Sequence, residues 1–283
     1  MTISAFKKYF KTELSELYND SESTFLCSVF IQKITGFDSF QQRRLSDQEL
    51  LIDDEKQLIQ AVSDLKTGRP YQQILGETEF YGMPFFVDEH VLIPRPETEE
   101  LLEMAIHTIQ SSELNVQGLK ILDIGTGSGI IPLVLKKHFP GAKITSIDLS
   151  EKALKTAKRN AEHHQLEINF IHADYLSFEL TESYDIIISN PPYIGIEEET
   201  EIADSVKEFE PKMALFSPVK DALIFYRKIA EDAKQYLKDN GFLFLEINQK
   251  LGPETLELYT GYFSEVQLIK DLSENDRFIV GKK

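Results

Sequence analysis

From Leu119 to the C-terminus, short runs rich in Ile, Leu and Val alternate with amphipathic stretches at helical spacing. LKILDIG reads as a buried strand that leads through a glycine-rich turn into an apolar helix, Ile130–His138. KITSIDLS is a second strand, followed by a helix over Glu151–His163. INFIHAD and YDIIISN are the third and fourth strands. DALIFYRKIAEDAKQYLKDN reads as a long amphipathic helix running into a fifth strand, GFLFLEIN, and LGPETLELYTGY as a further helix. Strands that alternate with helices build a mostly parallel sheet covered on both faces, because parallel neighbours need a crossover between them. The last two strands, EVQLIKD and DRFIVGKK, are joined by a short Ser-Glu-Asn turn. That is too short for a crossover, so they must pair antiparallel.

The chain before this region has a different grammar. Phe6, Phe10, Leu14 and Leu17 recur at helical spacing, and Leu26, Val29, Phe30 and Ile34 form a second apolar set that ends at Gly36. Ser46-Asp47-Gln48-Glu49 has the pattern of a capping box and predicts a third helix carrying Leu50, Leu51, Leu58, Ile59, Val62 and Leu65. Gly68 and Pro70 stop it. Thr78–Val87 then reads as two short strands around a glycine turn. Pro96, followed by Glu97, Glu99 and Glu100, suits the first turn of a helix that includes Leu101–Ile109. The expected organisation is a helical domain over 1–75, a β-hairpin linker over 76–95 and an α/β domain over 96–283.

Charge narrows the function. The chain carries 30 Lys and Arg against 47 Asp and Glu, a net of −17. Residues 76–283 hold 21 basic and 36 acidic side chains. Nucleic-acid binders neutralise phosphates with clustered cations, and this region would repel them, so no direct DNA binding is expected. One cysteine, Cys27, forms no internal disulfide, and the six histidines show no metal or triad spacing, so no metal is expected. The N-terminus lacks an apolar signal core, and no apolar run approaches the ~20 residues of a membrane span. A cytoplasmic protein without membrane contact is expected.

Four motifs fall at the carboxyl ends of the predicted strands, the edge where open α/β sheets bind ligands. Gly125-Thr126-Gly127-Ser128-Gly129 follows the first strand. Its GxGxG spacing differs from the GxGxxG of dinucleotide sites and favours S-adenosylmethionine (SAM), although such a loop is also a plain tight turn. Asp148 ends the second strand and is placed to accept both hydroxyls of an adenosine ribose; the competing reading is a helix cap, a task that suits Ser150 better. Tyr175, after the third strand, is either an adenine wall or a surface aromatic.

Asn190-Pro191-Pro192-Tyr193 follows the fourth strand. Two prolines end a central strand and stiffen a turn, and neither has an N–H. Asn190 then offers a side-chain carbonyl, Pro191 a backbone carbonyl and Tyr193 a flat ring. Two acceptors and a ring make a clamp for a planar group bearing an NH₂. An amide nitrogen is a weak nucleophile because its lone pair is delocalised. Accepting both N–H protons orients the nitrogen and draws that lone pair out of conjugation.

These residues resemble SAM-dependent amino-methyltransferases with an [N/D]-P-P-[Y/F] motif, and the sheet pattern matches the Rossmann-like methyltransferase fold with its antiparallel last strand. Across about residues 1–283, most loosely over the first 65, the chain is similar to the PrmC/HemK family of release-factor N5-glutamine methyltransferases. RPYQQILGETEFYG, VLIPRPETEELLE, DIGTGSG, SNPPYI, Phe209-Glu210-Pro211 and GFLFLEI carry the resemblance. It implies methyl transfer from SAM to the Gly-Gly-Gln glutamine of class-1 peptide chain release factors, with S-adenosylhomocysteine as co-product. It implies that the helical domain helps bind the release factor. It also implies cofactor contacts at Gly125, Thr126, Gly127, Ser128, Gly129, Asp148, Tyr175 and Asn190. The substrate clamp would be Asn190, Pro191, Pro192 and Tyr193, with Asn190, Pro191 and Tyr193 catalytic. A tryptophan is expected in place of Tyr175 in some relatives, which puts that contact alone in question. A monomer is expected. Three rivals remain: a ribosomal-protein glutamine methyltransferase, opposed by the PETEELLE that follows Ile93-Pro94-Arg95; a nucleic-acid amino-methyltransferase, opposed by the acidic charge; and a SAM-binding regulator, which would need no amine clamp.

Overall fold

The computed structural model describes residues 1–195, 198, 204–217 and 221–283. They form two compact units, Met1–Glu77 and Thr78–Lys283.

In the first unit, α1 (Ile3–Glu13) is capped by Thr2, whose hydroxyl accepts from the Ala5 N–H at 3.1 Å. α2 (Asp20–Thr35) starts with a capping box between Asn19 and Glu22 and stops at Gly36, which takes a φ of +76°. A second box, Asp38 with Gln41, opens the short α3 (Ser39–Arg44), which the apolar periodicity does not announce. α4 (Ile52–Lys66) completes the unit's core, where Leu58, Val62 and Leu65 pack with Phe6, Phe10, Leu14, Leu26 and Phe30. α5 (Tyr71–Leu75) closes the segment.

Two expectations here need correction. Ser46-Asp47-Gln48-Glu49 is no capping box: α4 begins at Ile52 without a side-chain cap. The carbonyls of Ser46 and Gln48 instead accept from the backbone of Ser4 and Ile3, and Glu49 forms an isolated antiparallel bridge with Thr2. The stretch is a turn that ends in this bridge, so its backbone serves the N-terminus and not the start of α4. Leu17 lies beyond the end of α1 and is exposed, as is Leu51.

In the second unit, β1 (Glu77–Phe80) and β2 (Met83–Phe86) form a hairpin turned at Tyr81 and Gly82. Both residues have positive φ, +52° and +66°, which matches the twist of a two-residue hairpin. Phe80, Met83 and Phe85 enter the same core as α6 (Pro96–Ser111). The hairpin thus packs against α6.

Seven strands follow: β3 (Lys120–Ile124), β4 (Lys143–Asp148), β5 (Asn169–His172), β6 (Tyr184–Ser189), β7 (Leu237–Glu246), β8 (Glu265–Lys270) and β9 (Asp276–Lys282). Their order is β5-β4-β3-β6-β7-β9-β8. The first five pair in parallel, and β9 is antiparallel to both β7 and β8. The last strand therefore inserts between its two neighbours. Alternation sends Ile121, Ile186 and Ile188 to one core, and Leu122, Ile187 and Leu243 to the other. α7 (Ile130–His138) and α8 (Glu151–His164) follow β3 and β4. α9 (Asp204–Phe209) and α10 (Lys212–Leu215) lie between β6 and β7.

α11 (Ile224–Tyr236) is shorter than expected, because β7 already starts at Leu237. Asn240 there takes a φ of +62°, and a Cβ on Gly241 would stand 2.7 Å from the Asp185 carbonyl, so the chain must turn where helical periodicity alone continues. α12 likewise covers only Gly252–Glu257. No described helix is long and apolar enough to cross a membrane.

Candidate active site

The chain leaves β3 towards β4 on one side and returns to β6 on the other. That reversal opens a crevice at the carboxyl ends of β3 and β6, the general ligand position in such sheets. A pocket occupies it. Gly125, Thr126, Gly127, Ser128, Asp148, Tyr175, Asn190, Pro191 and Pro192 all line this pocket, although they come from four strand ends.

The glycine loop is held by its backbone. Gly125, Gly127 and Gly129 have φ of +85°, +54° and +85°, a region that side chains disfavour. The N–H groups of Gly125 and Thr126 donate to the Ile147 carbonyl at 2.9 and 3.2 Å, which ties the loop to β4. Gly129 does not line the pocket; it starts α7, and a Cβ there would come 3.1 Å from that of Ala157. The Thr126 and Ser128 side chains are buried, so these two residues present mainly backbone. Thr126 and Ser146 share a hydrogen bond of 2.6 Å, and Ser146 donates to Asp123 at 2.5 Å. Asp123 is fully buried with Oδ1 unpartnered. Burial pushes its carboxyl up to about 7, against the pull of the Ser146 hydrogen bond.

Asp148 accepts from the Gly127 N–H through Oδ2 at 2.8 Å and from the Ser150 N–H through Oδ1 at 2.7 Å. Burial raises its carboxyl above the usual range, while these two bonds act the other way. Ser150 itself caps α8 through the Ala153 N–H. Tyr175 is buried, with its hydroxyl donating to Asp232 at 2.7 Å. It is no surface aromatic.

The Asn190 Nδ2 donates to the Thr98 hydroxyl at 3.1 Å, and Thr98 donates to Glu246 at 2.7 Å. Among the described residues, no donor reaches the Asn190 side-chain carbonyl or the Pro191 carbonyl. Both acceptors are unspent. Tyr193 stands beside the pocket, not on its wall: its hydroxyl donates to Glu246 at 3.3 Å and its ring packs on the core around Tyr226. Glu246 is buried, which pushes its carboxyl up to about 7 against the Thr98 bond and the Arg277 charge.

Sequence reasoning gave no role to Thr98, Glu246, Arg95 or Glu210. Arg95 lines the pocket and donates to buried Glu210 at 2.6 Å, and the other Glu210 oxygen accepts from the Ile93 N–H at 3.0 Å. The signal was present in the IPRPETE, FEP and GFLFLEI segments, but only the tertiary fold brings them to one place.

The pocket fits SAM. Nothing stands within 4 Å of where a Gly127 Cβ would project, so the loop leaves a cradle. Each Asp148 oxygen carries one hydrogen bond and keeps room for a hydroxyl donor.

The methyltransferase small domain family matches residues 103–208. A release factor glutamine methyltransferase of Flavobacterium psychrophilum is 43% identical over 99% of this chain and 98% of its own length. Proteins of that name from Streptococcus pneumoniae and Bacteroides thetaiotaomicron are 44% and 35% identical, over 82% and 97% of this chain and 82% and 98% of their own. A methyltransferase from Pyrococcus furiosus shares the fold, with a TM-score of 0.51, at 16% identity over 82% of this chain and 99% of that one. The chain is a SAM-dependent methyltransferase and belongs to the release factor glutamine methyltransferase family.

Proposed function

We propose that this chain methylates the side-chain amide nitrogen of the glutamine in the Gly-Gly-Gln motif of class-1 peptide chain release factors. The observation that carries this reading is the pair of unspent acceptors, Asn190 Oδ1 and the Pro191 carbonyl, on the same pocket as the glycine loop and Asp148. The names of the relatives supply the substrate.

The residues divide into two tasks. Gly125–Ser128 and Asp148 would hold the cofactor, the loop through its backbone and Asp148 through the ribose hydroxyls, with Tyr175 on the same pocket wall. SAM supplies a methyl group on a positively charged sulfonium and leaves as S-adenosylhomocysteine, with one proton released. Asn190 and Pro191 accept the two N–H groups of the substrate amide, which orients the nitrogen and loosens its conjugation. Pro192 stiffens the turn, and Tyr193 supports it from the side. Positioning and electrostatics of this kind replace a strong general base.

On this reading residues 1–75 help to dock the release factor, 76–95 connect, and 96–283 catalyse. The partner is a protein, DNA contact is not required, and the reaction runs in the cytoplasm, where release factors act. The test is label transfer from methyl-labelled SAM to a purified class-1 release factor, beside ribosomal proteins and DNA in separate reactions. Label on the factor, lost when its Gly-Gly-Gln glutamine is replaced by alanine, is the expected result. Label on a ribosomal protein instead would move the substrate and keep the chemistry.

A further inference from the structure

An asparagine amide has two ends of nearly the same shape and opposite function. Only the carbonyl end can accept a substrate N–H; the NH₂ end would repel it. Asn190 therefore works in one of its two orientations, and something must select that one.

Thr98, in the first turn of α6, stands behind Asn190 at 3.1 Å. Its hydroxyl has one proton, and that proton goes to Glu246 Oε2 at 2.7 Å. The Thr98 oxygen then faces Asn190 with lone pairs only. An NH₂ is attracted there and a carbonyl oxygen is repelled. Glu246, at the end of β7, is itself fixed: its other oxygen accepts from Tyr193 at 3.3 Å, and both carboxylate oxygens are engaged away from water. Burial raises the Glu246 carboxyl, and Arg277, held by Asp271 at 3.1 Å, pulls the other way; the relay runs with Glu246 ionised.

We propose that Thr98 and Glu246 are positioning residues that hold the Asn190 amide with Oδ1 turned into the pocket. The relay has a direction: the carboxylate takes the threonine proton, and the threonine lone pairs take the asparagine NH₂. Its consequence for the reaction rests on the methyl-transfer reading above; its consequence for the Asn190 amide does not.

Two measurements test it. In steady-state methylation of the release factor, Thr98→Val keeps the shape and removes the hydroxyl. Turnover should fall by about 10- to 100-fold, the scale of one misplaced transition-state contact, while the KM for SAM moves by less than about threefold. Thr98→Ser should recover most of the loss, and Glu246→Gln, which can donate as well as accept, should lose part of it. In an Asn190→Ala background, Thr98→Val should cost less than about twofold, because its route is already cut. An equal loss in both backgrounds, or no recovery by serine, overturns the relay.

The second measurement needs no substrate. In side-chain-¹⁵N-asparagine protein, the Asn190 NH₂ signals are identified by their loss in Asn190→Ala. Their hydrogen exchange should be slow in the wild type and in Thr98→Ser, and markedly faster in Thr98→Val. Unchanged exchange overturns the relay. A wild type that labels no release factor, yet shows this exchange pattern, overturns the functional reading and leaves the relay standing.

Discussion

The two halves of the pocket are built in opposite ways. The glycine-loop half is local: Asp123 through Gly129 are consecutive, and their partners Ile147 and Asp148 lie on the adjacent strand. Backbone groups do most of the holding. The Asn190–Tyr193 half is held by side chains far along the chain, Thr98 at 92 residues' separation and Glu246 at 53. Each half also rests on a buried acid, Asp123 under the loop and Glu246 under the clamp, both pushed up to about 7. A half that binds a group of fixed shape can be written in a short motif. A half that must aim two acceptors at a nitrogen needs support converging from several directions.

The sharpest way to break that division is Asn190→Ala. Turnover should drop by about 100-fold or more, as when one preorganised contact is lost from a transition state. The urea unfolding midpoint should stay near wild type, because Asn190 serves the nucleophile. A near-wild-type rate would end the clamp model.

Asp148→Ala should act on the other half. SAM affinity by calorimetry should weaken by roughly 1.5–3 kcal/mol, the scale of hydrogen bonds to a charged group. The loop loses its Gly127 anchor in the same variant, so Asp148→Asn, which keeps an acceptor, should weaken binding less. Unchanged affinity in both would remove the ribose assignment.

Gly129→Ala tests whether the loop half is set by its backbone. A side chain at φ +85° with Ala157 at 3.1 Å should cost about 1–3 kcal/mol of unfolding free energy. Gly127→Ala, with φ +54° and open space, should cost less stability and act mainly on SAM binding. Equal stability losses at the two positions would blur the distinction.

The last test is one of pH. Asp123 and Glu246 have raised pKa values in the folded chain, so it still binds protons there that the unfolded chain has already shed. Their joint contribution makes stability fall as pH rises from about 4 to about 7, by at most about 1.4 kcal/mol per pH unit for each group. Asp123→Asn should remove its share of that slope in urea titrations across the window. A slope identical to wild type would show that Asp123 keeps an ordinary carboxyl.

Local chemistry made much of this legible. The α/β alternation, the glycine loop, Asp148 and the Asn-Pro-Pro-Tyr turn are each written as short patterns of consecutive or evenly spaced residues. Where neighbours misled, a distant partner intervened: Ser46–Glu49 pairs with the N-terminus instead of capping a helix, and Tyr193 turns to Glu246 instead of lining the pocket. The same reason separates Asn190 from Thr98. The sequence by itself determined that Asn190 sits at the mouth of the sheet, because strand alternation and two prolines are local constraints. Only the tertiary structure decided which end of its amide faces the pocket, because that depends on a hydroxyl from α6 and a carboxylate from β7, and no periodicity links three such distant residues.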